Sequence, residues 1–371
     1  MAVPKRCALW LFCLLLAGSR LAAAKKAQAA FGDREVLSTF PSNPGFPEGV
    51  AVFKDKAYVC GAATSQGTAN RNPSTITITD LKTGAVNTVF VSGEDTTKEH
   101  QLSCCIVAPT EINGNGKKNS EEHHSLYVMS PQLGILRFDL KYLQQSLYAP
   151  PPAGGWIVGN DLIFDRQRRL FVTESNPTPI RGGGKLWMIP PGGGPPTVWL
   201  EGDPLATGFP NGLDLSPDGQ KLYLTVSTTI SPELGNGIVY SLPITAQPPA
   251  TSALQVVHAY TNGEIPDGIR FGASGNLYVA LALTPSAAPS DVLGGIDVLS
   301  PDGFPLTRLL TSNGQGPNYL NPANIAFDDK RKSVLVTNHY LACNASSPAQ
   351  IDSCNFNVIR VYVGDKGVDQ N

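Results

Sequence analysis

The sequence predicts an all-β chain folded as a six-bladed β-propeller with four antiparallel strands per blade. Three observations carry that expectation. One short sheet pattern recurs six times at nearly constant spacing. Each copy alternates apolar and polar residues with period two, as a half-buried strand does. Glycine (37) and proline (31) are abundant in a chain of 371 residues of which 16% are charged, which suits many short strands joined by tight turns.

The copies are PEGVAVFKDKAYV from Pro47, SCCIVA with SLYVMS from Ser103, and GNDLIFDRQRRLFVTES from Gly159. PNGLDLSPDGQKLYLT from Pro210, PDGIRFGASGNLYVAL from Pro266 and PANIAFDDKRKSVLVTN from Pro322 complete the set. The second residue of each is Glu48, Cys104, Asn160, Asn211, Asp267 and Ala323, at intervals of 56, 56, 51, 56 and 56. A β-helix has much shorter repeats, and a sandwich needs no such periodicity.

Within a copy, Asn211 to Leu215 alternates, Ser216-Pro217-Asp218-Gly219 is a hairpin turn and Leu222 to Thr225 is the return strand. Gly237 to Leu242 and Leu254 to Tyr260 supply two more strands, and blade five repeats the plan with Ile296 to Ser300 and Leu306 to Thr311. Closure joins the two termini, with Phe31 to Phe40 and Asn357 to Gly364 as neighbouring strands of the closing blade. Blade two carries a polar insertion, Glu111 to His124, read as a surface loop in which His123 and His124 are solvated.

Apolar residues make up 42% of the chain, enough for a large core, and the net charge is −2 with no basic stripe. Neither a nucleic acid nor an anionic membrane is an expected partner. Residues 1–29 read as a signal peptide: Lys5 and Arg6, an apolar run from Cys7 to about Gly18, then small residues with cleavage after about 24–29. The run is too short to span a bilayer comfortably. Residues 30–371 then form one propeller domain, secreted or in the lumen of the secretory pathway. Five cysteines remain in that domain. Cys343 and Cys354 flank a short polar loop and are the simplest bridge; Cys60 with Cys104 or Cys105 is a second. Asn344-Ala345-Ser346 is an N-glycosylation acceptor.

The innermost strand of each propeller blade runs along the central channel, so a shared register brings six residues into one ring. Here Glu48, Asn160, Asn211 and Asp267 present two carboxylates and two carboxamides to a common point, with Cys104 and Ala323 completing the circle. Oxygen donors with two negative charges suit one hard divalent cation, calcium first, with magnesium, manganese or zinc as alternatives. Taken singly, Asn211-Gly212 and Asp267-Gly268 are ordinary turn dipeptides; their common register is what argues for a metal.

At these residues the chain resembles the senescence marker protein (regucalcin), gluconolactonase and luciferin-regenerating enzyme family. PEGVAV, GNDLIFD with RRLFVTES, PNGLDLSPDGQKLYLT and PDGIRF with GNLYVA resemble its signatures for blades one, three, four and five. The resemblance implies a six-bladed propeller with one channel metal, held by Glu48, Asn211 and Asp267, with Asn160 contacting metal or substrate and Asp161 continuing an Asn-Asp pair. It implies Asp267 as general base in metal-assisted hydrolysis of a lactone or related ester. Sugar-acid lactonases of the family carry arginine two residues before the asparagine. Val158 stands there and points to a more apolar substrate; Trp156 nearby fits that shift, with a plain core residue as its alternative. No Gly-x-Ser-x-Gly elbow competes. His339 could reach the channel but reads as a rim residue without a catalytic task. The alternatives are a noncatalytic propeller that binds a small molecule or partner, and a strictosidine-synthase-like condensing enzyme. The sequence leaves the oligomeric state open.

Overall fold

The structure, a computed structural model, describes residues 29–40, 45–61, 72–109, 121, 124–175, 183–228, 236–261, 263–285, 291, 293–339 and 356–368. The signal-peptide segment, Cys343, Cys354, Asn344, His123 and nearly all of the blade-two insertion lie outside those residues.

Alternation becomes strand wherever the repeat places it. Blade one holds β2 (Pro47–Phe53), β3 (Lys56–Gly61), β4 (Thr75–Asp80) and β5 (Val86–Phe90). Blade two holds β6 (Cys104–Pro109), β7 (His124–Ser130), β8 (Gly134–Asp139) and β9 (Gln145–Ala149). Blade three holds β10 (Gly159–Phe164), β11 (Leu170–Glu174), β12 (Lys185–Ile189) and β13 (Thr197–Glu201). Blade four holds β14 (Pro210–Leu215), β15 (Lys221–Val226), β16 (Ile238–Pro243) and β17 (Gln255–Ala259). Blade five holds β18 (Ile265–Phe271), β19 (Leu277–Leu283), β20 (Gly295–Leu299) and β21 (Pro305–Leu310). Blade six takes β22 (Pro322–Asp328), β23 (Ser333–Asn338) and β24 (Phe356–Tyr362) from the C-terminal part, and its outer strand, β1 (Arg34–Phe40), from the N-terminal part. Every sheet is four-stranded and antiparallel, and β1 lies beside β24 from Arg34↔Val361 to Phe40↔Phe356, as the closure argument expects.

The core lies between blades. One cluster joins Tyr58 and Ile76 of blade one to Leu126 and Phe138 of blade two. Another joins Val50 and Val59 of blade one to Leu335 and Val358 of blade six, so the circle is closed by apolar contact as well as by strand pairing. Apart from short 3-10 turns the described residues are strand and loop, and among them no helix is long and apolar enough to cross a membrane.

Expectations change at His124 and at the cysteines. His124 is not solvated: it opens β7, is buried, and its ring lies 4.4 Å from that of Phe53. Trp156 is buried against Trp187, ring centroids 5.7 Å apart, in the cluster between blades two and three. The second expected bridge does not form: Cys60, Cys104 and Cys105 are buried and unbridged, with the Cys104 thiol donated to Asp161 and the Cys105 thiol to the Tyr58 carbonyl.

Five inner strands share an irregularity. Pairing with the second strand slips between Pro47 and Gly49, Gly159 and Leu162, Pro210 and Leu213, Pro266 and Ile269, and Pro322 and Ile325. Each slip is a bulge at or beside the ring residue. A bulge turns the chain locally and re-aims side chains. Blade two alone runs in regular register from Cys104↔Met129 to Pro109↔His124.

Candidate functional site

The bulges put the ring residues at one mouth of the channel, and neighbouring serines orient the two amides. Ser175 Oγ donates its single proton to the Pro210 carbonyl at 2.6 Å, so it can only accept from Asn160 Nδ2 at 3.1 Å. Ser227 does the same between the Pro266 carbonyl (2.6 Å) and Asn211 Nδ2 (3.0 Å). Each arrangement turns the amide oxygen away from the serine. Asp267 accepts from the Asn211 amide and the Gly268 N–H. The glycines after the ring residues serve close approach rather than a turn: a Cβ on Gly212 would lie 2.5 Å from the Asp267 carbonyl oxygen, and one on Gly268 2.8 Å from that of Ala323.

Glu48 is largely buried in this group, its side chain 15% exposed. Its Oε2 lies 3.1 Å from His339 Nε2, yet neither atom makes a well-formed hydrogen bond. Burial pushes the imidazole down to a pKa of about 3, so His339 is neutral and supplies no countercharge. Burial, and then the charge of Asp161, push Glu48 up to about 8. Asp267 is driven well above the usual carboxylate range by burial and by the charges of Glu48 and Asp161.

Asp161 lies one layer deeper, fully buried. Its Oδ1 accepts from Leu162 N (2.8 Å) and the Cys104 thiol (2.7 Å). Its Oδ2 accepts from Leu213 N (2.9 Å) and Arg270 (3.1 Å). The same Arg270 nitrogen also donates to the carbonyls of Leu213 and Ile269. Beyond Arg270, at the far ends of the inner strands, lies a separate cavity of about 430 Å³ lined by Phe53, Cys105, Asp214 and Phe271. Arg270 also lines that cavity and so stands between it and the ring. Cys104 thus points to the deeper layer, Ala323 offers no donor, and the Val158 carbonyl accepts from Ser175 N at 2.8 Å while its side chain stays half-buried.

Three carboxylates, Glu48, Asp161 and Asp267, act on one another here, and the permanent cation that answers them, Arg270, is shared with Asp214. Once Glu48 and Asp267 ionise, as ligation requires, the deficit is at least two charges, with amide oxygens alongside, and Glu48 Oε2 is left without a well-formed hydrogen bond. That donor set fits one hard divalent cation. Among the described residues no three histidine, cysteine or carboxylate side chains converge as a ligand cluster, so a metal here must draw on the amides.

His339, Arg270 and the two serines take up places at the ring that its register alone does not predict. Thr-x-Ser, shared by Thr173–Ser175 and Thr225–Ser227, was the signal for the serines. Nothing in the repeat marks Arg270, because its role depends on Asp161, 109 residues away.

Among solved structures, the fold is similar to a calcium-binding regucalcin of Agrobacterium tumefaciens (TM-score 0.60, 16% identity, 91% of this chain and 95% of that one). It is also similar to a luciferin-regenerating enzyme (0.58, 16%, 90% and 96%) and a gluconolactonase of Xanthomonas campestris (0.56, 16%, 88% and 88%). A gluconolactonase of Zymomonas mobilis is 31% identical over 132 residues, 34% of this chain, and the match spans about a third (32%) of that relative's length. Residues 74–303, well over half of the chain, match the SMP-30/Gluconolactonase/LRE-like region. The chain therefore belongs to the SMP-30/gluconolactonase/LRE-like family.

Proposed function

We propose that the protein is a metal-dependent hydrolase of lactones or related esters, with one divalent cation, calcium first, held by Glu48, Asn211 and Asp267 and approached by Asn160. The observation that carries this reading is the deficit of at least two charges around a Glu48 oxygen without a well-formed hydrogen bond at the mouth of the channel. Family membership and the gluconolactonase relative support it.

A bound cation would act as a Lewis acid toward the lactone carbonyl and lower the pKa of water. The chain's own groups do the rest. Asp267, held by the Asn211 amide and the Gly268 N–H, takes a proton from the attacking water once its carboxylate is ionised. Asn160, held by Ser175, places its amide oxygen for the substrate or the ion. Asp161 stays locked between Arg270 and the Leu213 N–H, and its charge makes cation binding more favourable. Val158, half-buried two residues before Asn160, offers the substrate an apolar contact where a guanidinium would fix a sugar acid. The leader reading of residues 1–29 makes the protein a secreted one.

The test is hydrolysis of a panel of lactones and aryl esters by the purified protein, with and without chelator. Chelator-sensitive turnover is expected. Asp267→Asn is expected to lower kcat by about 10²–10⁴-fold. Turnover indifferent to chelator, or undiminished in that variant, would remove the mechanism.

A further inference from the structure

Three threonines repeat one hydrogen-bond pattern, and its distribution among the blades is selective. In blade three, Thr173 Oγ1 accepts from Asp161 N at 2.9 Å and donates to the Asn211 carbonyl of blade four at 2.6 Å. In blade four, Thr225 accepts from Gly212 N at 2.8 Å and donates to the Asp267 carbonyl of blade five at 2.7 Å. In blade six, Thr337 accepts from Asn324 N at 2.9 Å and donates to the Glu48 carbonyl of blade one at 2.7 Å. A bulge leaves an inner-strand N–H without its ladder partner. The hydroxyl takes up that N–H and passes its own proton to the next blade's bulge.

If these threonines served bulges in general, every bulged blade would need one. Blades one and five are bulged, yet carry Cys60 and Ala280 at the matching position of the second strand, and unbulged blade two carries Met129. The ring positions that follow those three blades are Cys104, Ala323 and Asn160. The ring positions that follow the threonine blades are Glu48, Asn211 and Asp267. Asn160 has a looser hold: Ser103 Oγ donates to the Gly159 carbonyl at 2.6 Å and lies 3.2 Å from that of Asn160.

We infer that Thr173, Thr225 and Thr337 are positioning residues that fix the backbone of Asn211, Asp267 and Glu48 as a rigid three-point cradle, leaving Asn160 freer to follow the substrate. The inference rests on the metal-site reading above. Preorganised ligand backbones spare the ion the cost of ordering them, and partners one step behind a ligand are typically worth about 10–100-fold in metal affinity.

The experiment strips the full-length protein with chelator and titrates calcium, magnesium, manganese and zinc salts by calorimetry. It compares wild type with Thr225→Val, Thr337→Val, their serine counterparts, and Thr284→Val. Thr284 donates to the Asp291 carbonyl, a buried tie that reaches no ring residue, so its loss reports general destabilisation. The melting temperature of each stripped variant is measured alongside. The valine variants are expected to lose about 10–100-fold in affinity, the serine variants to recover most of it, and Thr284→Val to keep wild-type affinity despite a lower melting temperature. Valine variants that bind as tightly as Thr284→Val would overturn the positioning role while leaving the metal site standing. A wild-type protein that binds none of the four ions would overturn both. If a valine variant fails to fold, its serine counterpart carries the comparison: serine keeps the hydroxyl, so an affinity loss of the same size there would also count against the role.

Discussion

Glu48 and Asp267 face opposite demands in the metal-free and metal-bound protein. Without an ion, burial and the charge of Asp161 favour the protonated form of Glu48, raising its pKa from an ordinary 4.5 to about 8; Asp267 moves in the same direction. The folded state therefore holds protons that the unfolded chain has already released. Stability from this source is complete below about pH 4.5 and is lost as pH rises toward about 8, at up to ~1.4 kcal/mol per pH unit for each group in transit. Ligation requires the ionised form, so metal affinity runs the other way and strengthens with pH over the same window. Chelator-treated protein is thus expected to melt lower as pH is raised from 5 to 8. The gain in melting temperature on adding calcium is expected to widen over that range. A melting temperature of stripped protein that climbed with pH would show that these carboxylates are ionised without help.

The element that matters most is the bulged start of the inner strand. Its register was legible in the sequence because six copies share it, and so were the strands, the hairpin turns and the terminal closure. The dipeptides Asn211-Gly212 and Asp267-Gly268 looked like turns because Asn-Gly and Asp-Gly usually make them. In the fold they lie inside strands, and each glycine is small because the next blade's backbone rests on it. Single-chain patterns do not record that neighbour. The same limit hid His339, whose place beside Glu48 comes from blade six closing onto blade one, and Arg270, which meets Asp161 across the channel. Gly268→Ala is expected to push the chains of blades five and six apart, because its Cβ would meet the Ala323 carbonyl oxygen and Asn324 Cα at 2.8 Å, both backbone. A cost of about 1–3 kcal/mol follows, together with weaker metal binding, since Asp267 sits on the displaced strand. Denaturant titration and calorimetry of that variant check both parts; a variant as stable and as tight as wild type would mean that the blades have slack.

A ring of blades has one seam, and the position of every channel residue depends on its holding. Here the seam lies within blade six, where β1 is laid on β24, and the first strand is anchored further by one buried guanidinium. Arg34 donates through Nε to the Pro317 carbonyl at 2.8 Å and through its other nitrogens to the carbonyls of Gly32, Leu310, Thr311 and Asn313. It also lies 5.1 Å from the centre of the Tyr319 ring. The segment that it grips, residues 310–319, links blade five to blade six, so a single side chain ties the N-terminal strand to the start of the closing blade. Arg34→Met keeps the apolar stem but strips five carbonyls, that of Gly32 buried and the others part-buried, of a charged donor. The expected loss is about 2–4 kcal/mol, more than one neutral hydrogen bond contributes and in the range for a buried charged one whose partners are left unpaired. Because the Glu48 backbone of blade one is held from blade six by the Thr337 contact, loosening the seam should also weaken metal binding at a site some distance along the chain from Arg34. Glu35→Ala in the same strand is the control: its carboxylate is more than half exposed, and its partner Arg360 keeps Asp328 as a second partner, so the pair adds little. Thermal melts of the two variants, with and without calcium, should separate them. Equal melting temperatures would place the strength of closure in the β1–β24 ladder and the apolar contacts of blades one and six, not in Arg34.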